Sequence, residues 1–153
     1  MEVMVSILLL SIAIIPMVGM FDAGLKTATT GSNYDKARAF ANERLERTKV
    51  LSYAQVRDVF PYESPGNPPP TPPPRPSGTT GVYTSTILDI PANVKLPNGT
   101  YTVRKEYVSV NPSGNLANSG TGSDTRLIRV TVKVNWSSGN SINVSGVVAG
   151  GVS

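Results

Sequence analysis

The sequence predicts an α+β fold, in which a long N-terminal helix packs on a C-terminal antiparallel β-sheet of about four strands. Three features of the sequence predict this fold. An uncharged apolar run opens the chain, a segment of helical period follows it, and segments of alternating polarity fill the C-terminal half. The composition changes accordingly, from strongly apolar at the N-terminus to rich in Gly, Ser, Thr and Asn towards the C-terminus.

Four regions follow from these changes in composition. We expect an apolar helix over residues 1–25, an amphipathic helix over residues 26–60, a proline-rich loop over residues 61–80 and an antiparallel β domain over residues 81–153. At 153 residues, the chain is long enough for one domain with a modest core. Such an asymmetric chain indicates a membrane or assembly element joined to a small head.

The apolar region carries an uncharged run over residues 3–21, VMVSILLLSIAIIPMVGMF. Its length is close to the roughly 20 residues that a helix needs to cross a bilayer. Glu2 precedes the run, no Lys or Arg does, and no small-residue cleavage site follows, so a cleaved signal peptide is a poor fit. Pro16 and Gly19 lie inside the run and predict a break or kink, because proline removes a backbone donor and clashes with the preceding turn.

A segment of helical period covers residues 34–60, where apolar and small side chains recur every three or four residues. The repeating positions include Tyr34, Ala37, Ala41 and Leu45. Ser32 or Asn33 is a candidate N-cap for a helix that restarts after the weak glycine positions. We expect this amphipathic helix to continue until Pro61 ends it.

The segment between helix and sheet, residues 61–78, reads PYESPGNPPPTPPPRPSG and is too rich in proline for a helix or a central strand. We expect it to form an extended polyproline II spacer. Two alternatives remain open. The segment is either a ligand for an aromatic-lined groove, since Pro70, Pro73 and Pro76 have PxxP spacing, or a loop packed on the head.

The β region contains four segments with strand character. They cover residues 81–90, 101–110, 127–136 and 142–148. The third, LIRVTVKVNW, alternates most regularly between apolar and polar side chains, which indicates one buried face. We expect turns at residues 97–99 and 137–140, and a long loop over residues 111–125. The amphipathic helix is the segment available to cover the buried face.

Two residue types that often serve in catalysis and metal binding are missing from this sequence, although carboxylates, Ser and Lys are present. It contains no His and no Cys, which removes the usual general base near neutral pH, the usual zinc ligands and any disulfide. We therefore expect no enzyme activity, no cofactor and no metal. The net charge of +4 is typical of an ordinary polar surface, although it would also favour anionic surfaces or DNA.

The N-terminal residues MEVMVSILLLSI resemble the start of a mature type IV pilin or of a type II secretion pseudopilin. In that family the processing site has the form G-F-T-L-x-E, and an apolar run follows its glutamate. The order of parts is also similar: apolar half-helix, amphipathic half-helix, variable loop and antiparallel sheet. Residues 39–46, AFANERLE, are similar to helix segments of minor pilins and pseudopilins.

Two departures from the family pattern concern the N-terminus and the cysteines. The family's glutamate is fifth in the mature chain, whereas Glu2 is second, so we expect a leader and three mature residues to precede Met1 in the complete precursor. The Cys pair that closes a C-terminal loop in many relatives is absent. The head is then held by its sheet, its packing and its neighbours.

The resemblance implies a structural subunit of an extracellular type IV pilus-like filament. Subunits would be anchored in the cytoplasmic membrane before assembly, and would then pack by their N-terminal helices into a homopolymer or a mixed filament. The implied partners are copies of the chain or other pilins, the inner membrane, a prepilin peptidase and an assembly platform, with DNA or surfaces as a weaker expectation. The alternatives are a pseudopilin of a type II secretion system and a single-span membrane-anchored β-domain adhesin.

The resemblance also implies assembly roles for individual residues. Glu2 maps to the carboxylate that neutralises the N-terminal ammonium of an adjacent subunit, an amine that is methylated in the family. The expected packing positions are Val3, Ile7, Leu10 and Ile14, and the expected helix break lies at Pro16 and Gly19.

Two further motifs have weaker functional interpretations. Asn98, Asn135 and Asn143 each begin an N-x-S/T pattern and are candidate glycosylation sites, although chance matches are expected in a chain this rich in Asn, Ser and Thr. The second motif is a candidate nucleic-acid surface, for which an ordinary exposed strand face is the favoured explanation. Its residues are Tyr101, Arg104, Lys105 and Tyr107.

Overall fold

A helix at the N-terminus and an antiparallel sheet at the C-terminus make up the fold, which confirms the predicted α+β class. The computed structural model describes residues 2–61, 75–76, 81–85, 87–120, 124–137 and 139–151. The proline-rich spacer predicted over residues 61–80 lies mostly outside these residues. The chain divides into two compact units, Met1–Asp35 and Lys36–Ser153.

Helix α1 spans Glu2–Val50 and supplies all the described residues of the first unit. It continues without interruption through Pro16 and Gly19, and through Ser32 and Asn33, so the expected helix restart is wrong. A single proline removes one hydrogen bond from the ladder, and the rest of the ladder is retained. Several Ser and Thr hydroxyls in this part donate to the carbonyl four residues earlier, as Ser11 does to Ile7 at 2.9 Å.

The part of α1 that belongs to the second unit buries one face. The buried residues are Ala37, Phe40, Ala41, Leu45 and Thr48. This face has the spacing that the sequence predicts for an amphipathic helix.

The predicted end of this helix at Pro61 is wrong, because α1 ends at Val50 and a short helix, α2, follows over Tyr53–Asp58. Ser52 has extended backbone and forms a capping box with Gln55. In that motif the serine hydroxyl accepts from the Gln55 N–H while the Gln55 side chain accepts from the Ser52 N–H. The capping box therefore starts a new helix inside the predicted one.

Among the described residues, the sheet contains six strands in antiparallel pairs. They are β1 (Val82–Thr84), β2 (Leu88–Asp89), β3 (Thr100–Val110), β4 (Leu116–Asn118), β5 (Leu127–Trp136) and β6 (Asn140–Ala149). The main order is β1-β3-β5-β6, with β2 and β4 also paired to β3. A short 3₁₀ helix, Ala92–Val94, lies between β2 and β3.

The three long strands fall where the sequence predicts them, but the first predicted strand, residues 81–90, divides into β1 and β2. Ser85 lies between the two, and its hydroxyl accepts from the Val103 N–H at 2.9 Å in place of a backbone carbonyl. The predicted loop over residues 111–125 is also partly strand, because β4 pairs with the end of β3. Both changes add short strands to the same side of β3.

The core lies between the C-terminal part of α1, α2 and one face of the sheet. Phe40 meets Tyr101 edge to face, with ring centroids 5.2 Å apart, and the Arg44 guanidinium lies over both rings. Leu45 lies over Gly146, where an added Cβ would be 3.1 Å from its nearest side-chain carbon. Glycine at that position therefore lets the helix approach the sheet closely.

Candidate assembly surface

The apolar residues of α1 in the first unit are exposed on every side of the helix. Up to residue 25, the exposed large side chains are Val3, Met4, Val5, Ile7, Leu8, Leu9, Leu10, Ile12, Ile14, Ile15, Met17, Val18, Met20, Phe21 and Leu25. The four expected packing positions are between 48% and 72% exposed. A helix that is apolar all round normally lies in a membrane or among other helices. We call this exposed set the apolar helix surface.

By length and composition, α1 is one helix able to cross a membrane, and its most apolar window is not buried in the part of the chain that the structure describes. A signal sequence near an N-terminus meets the same criterion. The apolar helix surface is thus a membrane-compatible element at the N-terminal end of the chain.

Glu2 lies in the first turn of α1 and is exposed. A carboxylate at this end of a helix interacts favourably with the helix dipole. The next charged residue along the sequence is Asp22, which at about 1.5 Å per residue is roughly 30 Å away along a helix. Within α1, Glu2 is therefore a single charge at the apolar end, while Asp22 pairs with Lys26 at 2.8 Å.

The expected break at Pro16 and Gly19 does not interrupt α1 in the single subunit. Proline has no N–H, so the Ile12 carbonyl lacks its usual donor at that point. Gly19 has open space around it, since an added Cβ would have no heavy atom within 4 Å. A break in the assembled state stays a prediction: a filament map should show irregular backbone within about one turn of Pro16–Gly19.

The four candidate nucleic-acid residues do not form an exposed surface. The favoured explanation, that they lie on an ordinary exposed strand face, is therefore wrong as well. Tyr101, Lys105 and Tyr107 are buried, while Arg104 is exposed on the opposite face of β3 and pairs with Glu106 at 2.9 Å. Alternation along β3 explains this, because the three buried side chains share a face with the core residue Val103. The sequence did contain a signal for this: the three residues have odd numbers, as Val103 does, and alternate residues of a strand share a face.

Lys105 has a structural role that the sequence did not indicate. Its ammonium donates to the backbone carbonyls of Val56, Arg57 and Phe60 at 2.9, 2.9 and 2.6 Å. These carbonyls lie at the end of α2, where a helix lacks internal donors and carries partial negative charge. The buried lysine thereby joins β3 to α2.

A buried carboxylate organises the outer face of the sheet. Glu106 accepts hydrogen bonds from Arg104, Arg129 and Asn118 at 2.9, 3.0 and 3.2 Å. Arg129 also donates to the Leu116 carbonyl at 2.7 Å. Because Leu116 and Asn118 belong to β4, these bonds fix the strand that the sequence did not predict.

A second polar cluster connects α2 with the segment before β5. Arg57 donates to both oxygens of Asp58, at 2.7 and 3.0 Å, and to Asp124 at 3.1 Å. Arg75 also binds both oxygens of Asp58, and the Tyr53 hydroxyl donates to Asp124. We call these five residues the acidic-end cluster of α2.

The cluster shifts the pKa values of its members. The hydrogen bonds from Arg57 lower the pKa of Asp58 more than partial burial raises it. Partial burial raises the pKa of Asp124, but hydrogen bonds from Tyr53, from the Arg126 backbone and from Arg57 outweigh it, so its pKa is lowered overall. Burial, with the bond to Asp124, raises the pKa of Tyr53. The cluster thus stabilises charged carboxylates and a neutral phenol.

The three candidate glycosylation positions differ in exposure. Asn98 is exposed in the turn before β3, with positive φ, and Asn143 is exposed on β6. Asn135 is partly buried on β5. Exposure favours the first two positions as modification sites.

Comparisons with known proteins give no family for the chain. It matches no protein-family model, and it has no significant match among curated proteins or solved structures. In the part of the chain that the structure describes, no group of three or more His, Cys, Asp or Glu could hold a metal ion.

Proposed function

We propose that this chain is a structural subunit of an extracellular type IV pilus-like filament, assembled by packing of its N-terminal helices. The observation that carries the proposal is the apolar helix surface, exposed all round at one end of a chain whose other unit has its own buried core. One part of the chain thus requires an apolar environment, while the other is a folded polar head.

Burial of the apolar helix surface stabilises the filament once it is outside the membrane. Relative to exposure to water, each large apolar side chain contributes about 1.5–3 kcal/mol when it is fully buried, so the whole surface contributes roughly tens of kcal/mol before entropic costs. Lipid satisfies this requirement before assembly, when the helix is anchored in the cytoplasmic membrane. Outside the membrane, helices of neighbouring subunits replace the lipid.

The contact made by Glu2 fixes how neighbouring subunits align along the filament. A carboxylate at the head of an apolar run is costly in lipid or in a helix bundle unless an opposite charge neutralises it. The N-terminal ammonium of an adjacent subunit is the proposed partner. Such a contact joins different surfaces of two copies, does not close, and so generates an open filament rather than a ring.

Before and during assembly, the proposed partners are the inner membrane, a prepilin peptidase and an assembly platform. Within the filament they are copies of this chain or other pilins. A pseudopilin in a secretion machine is an alternative with the same packing.

A single-span membrane-anchored β-domain protein is the second candidate function. The observation that favours it is that α1 alone is long and apolar enough to cross a membrane. This candidate requires neither processing nor contact between helices, and it predicts a monomer.

Shearing of cells tests the proposal. Cells that produce the chain are sheared, and the released material is examined by negative-stain microscopy and mass spectrometry. We expect filaments that contain the chain, with an amino terminus processed ahead of Glu2. A chain that stays in the membrane fraction, unprocessed and without filaments, would contradict the proposal and support the anchored monomer.

A further inference from the structure

Strand β6, Asn140–Ala149, forms one edge of the sheet. It pairs with β5 along its whole length, from Leu127–Ala149 to Trp136–Asn140, with no interruption in register. Among the described residues, no strand pairs with its other side. At the opposite side of the sheet, three short strands cover β3 in pieces. The two edges therefore differ: one is short and divided, the other long and continuous.

The outward backbone groups of β6 can be assigned from one hydrogen bond. The Gly150 N–H donates to the Arg126 carbonyl at 2.7 Å, which makes these two residues a hydrogen-bonded pair in line with the β5–β6 register. Hydrogen-bonded and non-hydrogen-bonded pairs alternate in an antiparallel ladder. The even-numbered residues of β6 therefore bond to β5. The residues whose N–H and C=O face outward are Ser141, Asn143, Ser145, Val147 and Ala149.

The β6 strand itself has none of the sequence features that usually prevent pairing between sheets. The strand NSINVSGVVA contains no charged residue and no proline, and its pairing with β5 has no bulge. Natural sheets normally protect such an edge with Lys, Pro, a bulge or short strands. The outward-facing residues are all exposed, including Val147 at 43%.

We propose that the free edge of β6 is a self-association surface, at which β6 of a second copy adds antiparallel around a two-fold axis at Ser145. In this register, Ser145 lies opposite Ser145 of the second copy, and no charge opposes another. On the inner face, Ile142 lies opposite Val148 of the second copy, so the half-buried apolar rows of two sheets become continuous. The outer pairs are Ser141 with Ala149 of the second copy, and Asn143 with Val147 of the second copy.

A second copy fits this edge better than the proline-rich segment of the same chain. That segment contains Pro68–Pro70 and Pro72–Pro74, which cannot donate hydrogen bonds to a ladder. Two-fold pairing closes after two copies and cannot extend a filament by itself. The inference concerns contacts between heads and does not rest on the proposed filament.

Cysteine cross-linking tests the register directly, because the chain contains no Cys. The full chain is purified in detergent as Ser145→Cys or as the matched variant Ser141→Cys, and is treated with a mild oxidant. Across a hydrogen-bonded antiparallel pair, Cα atoms are about 5.5 Å apart, within the range of a disulfide. The two copies of residue 141 would be roughly 27 Å apart, at about 3.4 Å per residue.

We expect a reducible dimer from Ser145→Cys and none above background from Ser141→Cys, although a mixture of Ser141→Cys and Ala149→Cys should cross-link. Equal cross-linking of the two single variants, or none, would overturn the proposal. Cross-linking of the Ala149→Cys variant with itself would overturn the register.

A charge at the two-fold axis provides an independent measurement. Ser145→Lys places two ammonium groups opposite each other, whereas Thr100→Lys adds the same charge to the same face of the sheet, on β3 and away from the free edge, opposite Asn135 and Asp89. In analytical ultracentrifugation we expect loss of the dimer for Ser145→Lys, its retention for Thr100→Lys, and unchanged melting temperatures for both. A Ser145→Lys chain that stays dimeric, or a parent chain that is monomeric throughout, would contradict the inference.

Discussion

At the scale of single residues, the sequence singles out the charge to which we assign an assembly role, but it does not reveal the charges with structural roles. Glu2 stands out because no other charge follows until Asp22. Lys105 was a candidate for an exposed surface and its buried role was missed, because its partners are carbonyls at the end of α2, distant in sequence. A side chain that binds backbone groups of another element leaves no local pattern in the sequence. The one indication that Lys105 faces inward is that it lies two residues after Val103, on the same face of the strand.

Replacement of Glu2 should abolish assembly. Glu2→Gln keeps the size of the side chain but removes the charge that we propose neutralises an ammonium of the adjacent subunit. We expect few or no filaments on cells, with normal amounts of the chain in the membrane. Asp22→Asn is the matched control, since that carboxylate already pairs with Lys26 in the same helix and should be dispensable. Normal filament numbers with Glu2→Gln would remove the pairing role.

Acid should destabilise the head through the acidic-end cluster of α2. The pKa values of Asp58 and Asp124 in the folded chain lie below the ordinary value of about 3.9, so their stabilisation is present above about pH 4. It is lost as the pH falls through the lowered pKa values. We expect the free energy of unfolding to decrease over this range, as measured by denaturant titration at several pH values.

The double variant Asp58→Asn/Asp124→Asn should be less stable at neutral pH and should lose less stability on acidification. Asp89→Asn, which removes an exposed carboxyl on β2, is the matched control. An acid slope unchanged in the double variant would show that other carboxyls account for the transition.

At the scale of secondary-structure elements, the strongly periodic segments were predicted and the short ones were not. Strands β5 and β6 alternate in burial as their sequences predict, whereas β3 buries residues 105–108 in succession. The division between α1 and α2 was missed, although Ser52 and Gln55 have the spacing of a capping box. Strand β4 carries no comparable signal, because hydrogen bonds with other strands fix it. Arg129 of β5 donates to the Leu116 carbonyl in β4, and Asn118 of β4 donates to Glu106 of β3.

The join between β3 and α2 should depend on Lys105. Lys105→Met keeps the length of the side chain but leaves three carbonyls at the end of α2 without their donor. Unsatisfied buried groups cost about 1–3 kcal/mol each, so we expect the free energy of unfolding to fall by on the order of 3 kcal/mol. Lys133→Met, at an exposed position of β5, should change it by less than about 0.5 kcal/mol. Equal effects of the two substitutions would contradict this role.

At the scale of the whole molecule, the sequence separates an apolar element from a self-contained head. Every residue of the hydrophobic core lies at position 37 or later, whereas the apolar helix surface lies before residue 26. Composition predicts this division, because it depends on total apolar content rather than on particular contacts. The free edge of β6 was not predicted, since strand order is set by long-range pairing that a single segment does not reveal.

The head should fold without the apolar helix surface. A chain of residues 32–153 keeps α2, the six strands and the part of α1 that covers them. We expect a soluble protein with one cooperative thermal transition, followed by circular dichroism. Aggregation, or a broad transition without native near-ultraviolet signal, would show that the core needs the N-terminal segment or neighbouring subunits.

A cryo-electron microscopy map of sheared filaments would test the proposed packing of the N-terminal helices. We expect residues 3–21 of successive subunits to pack together at the filament centre, with Glu2 beside the amine of an adjacent subunit and the β-sheets outside. A map in which the sheets make the main contacts and these helices do not meet would contradict it.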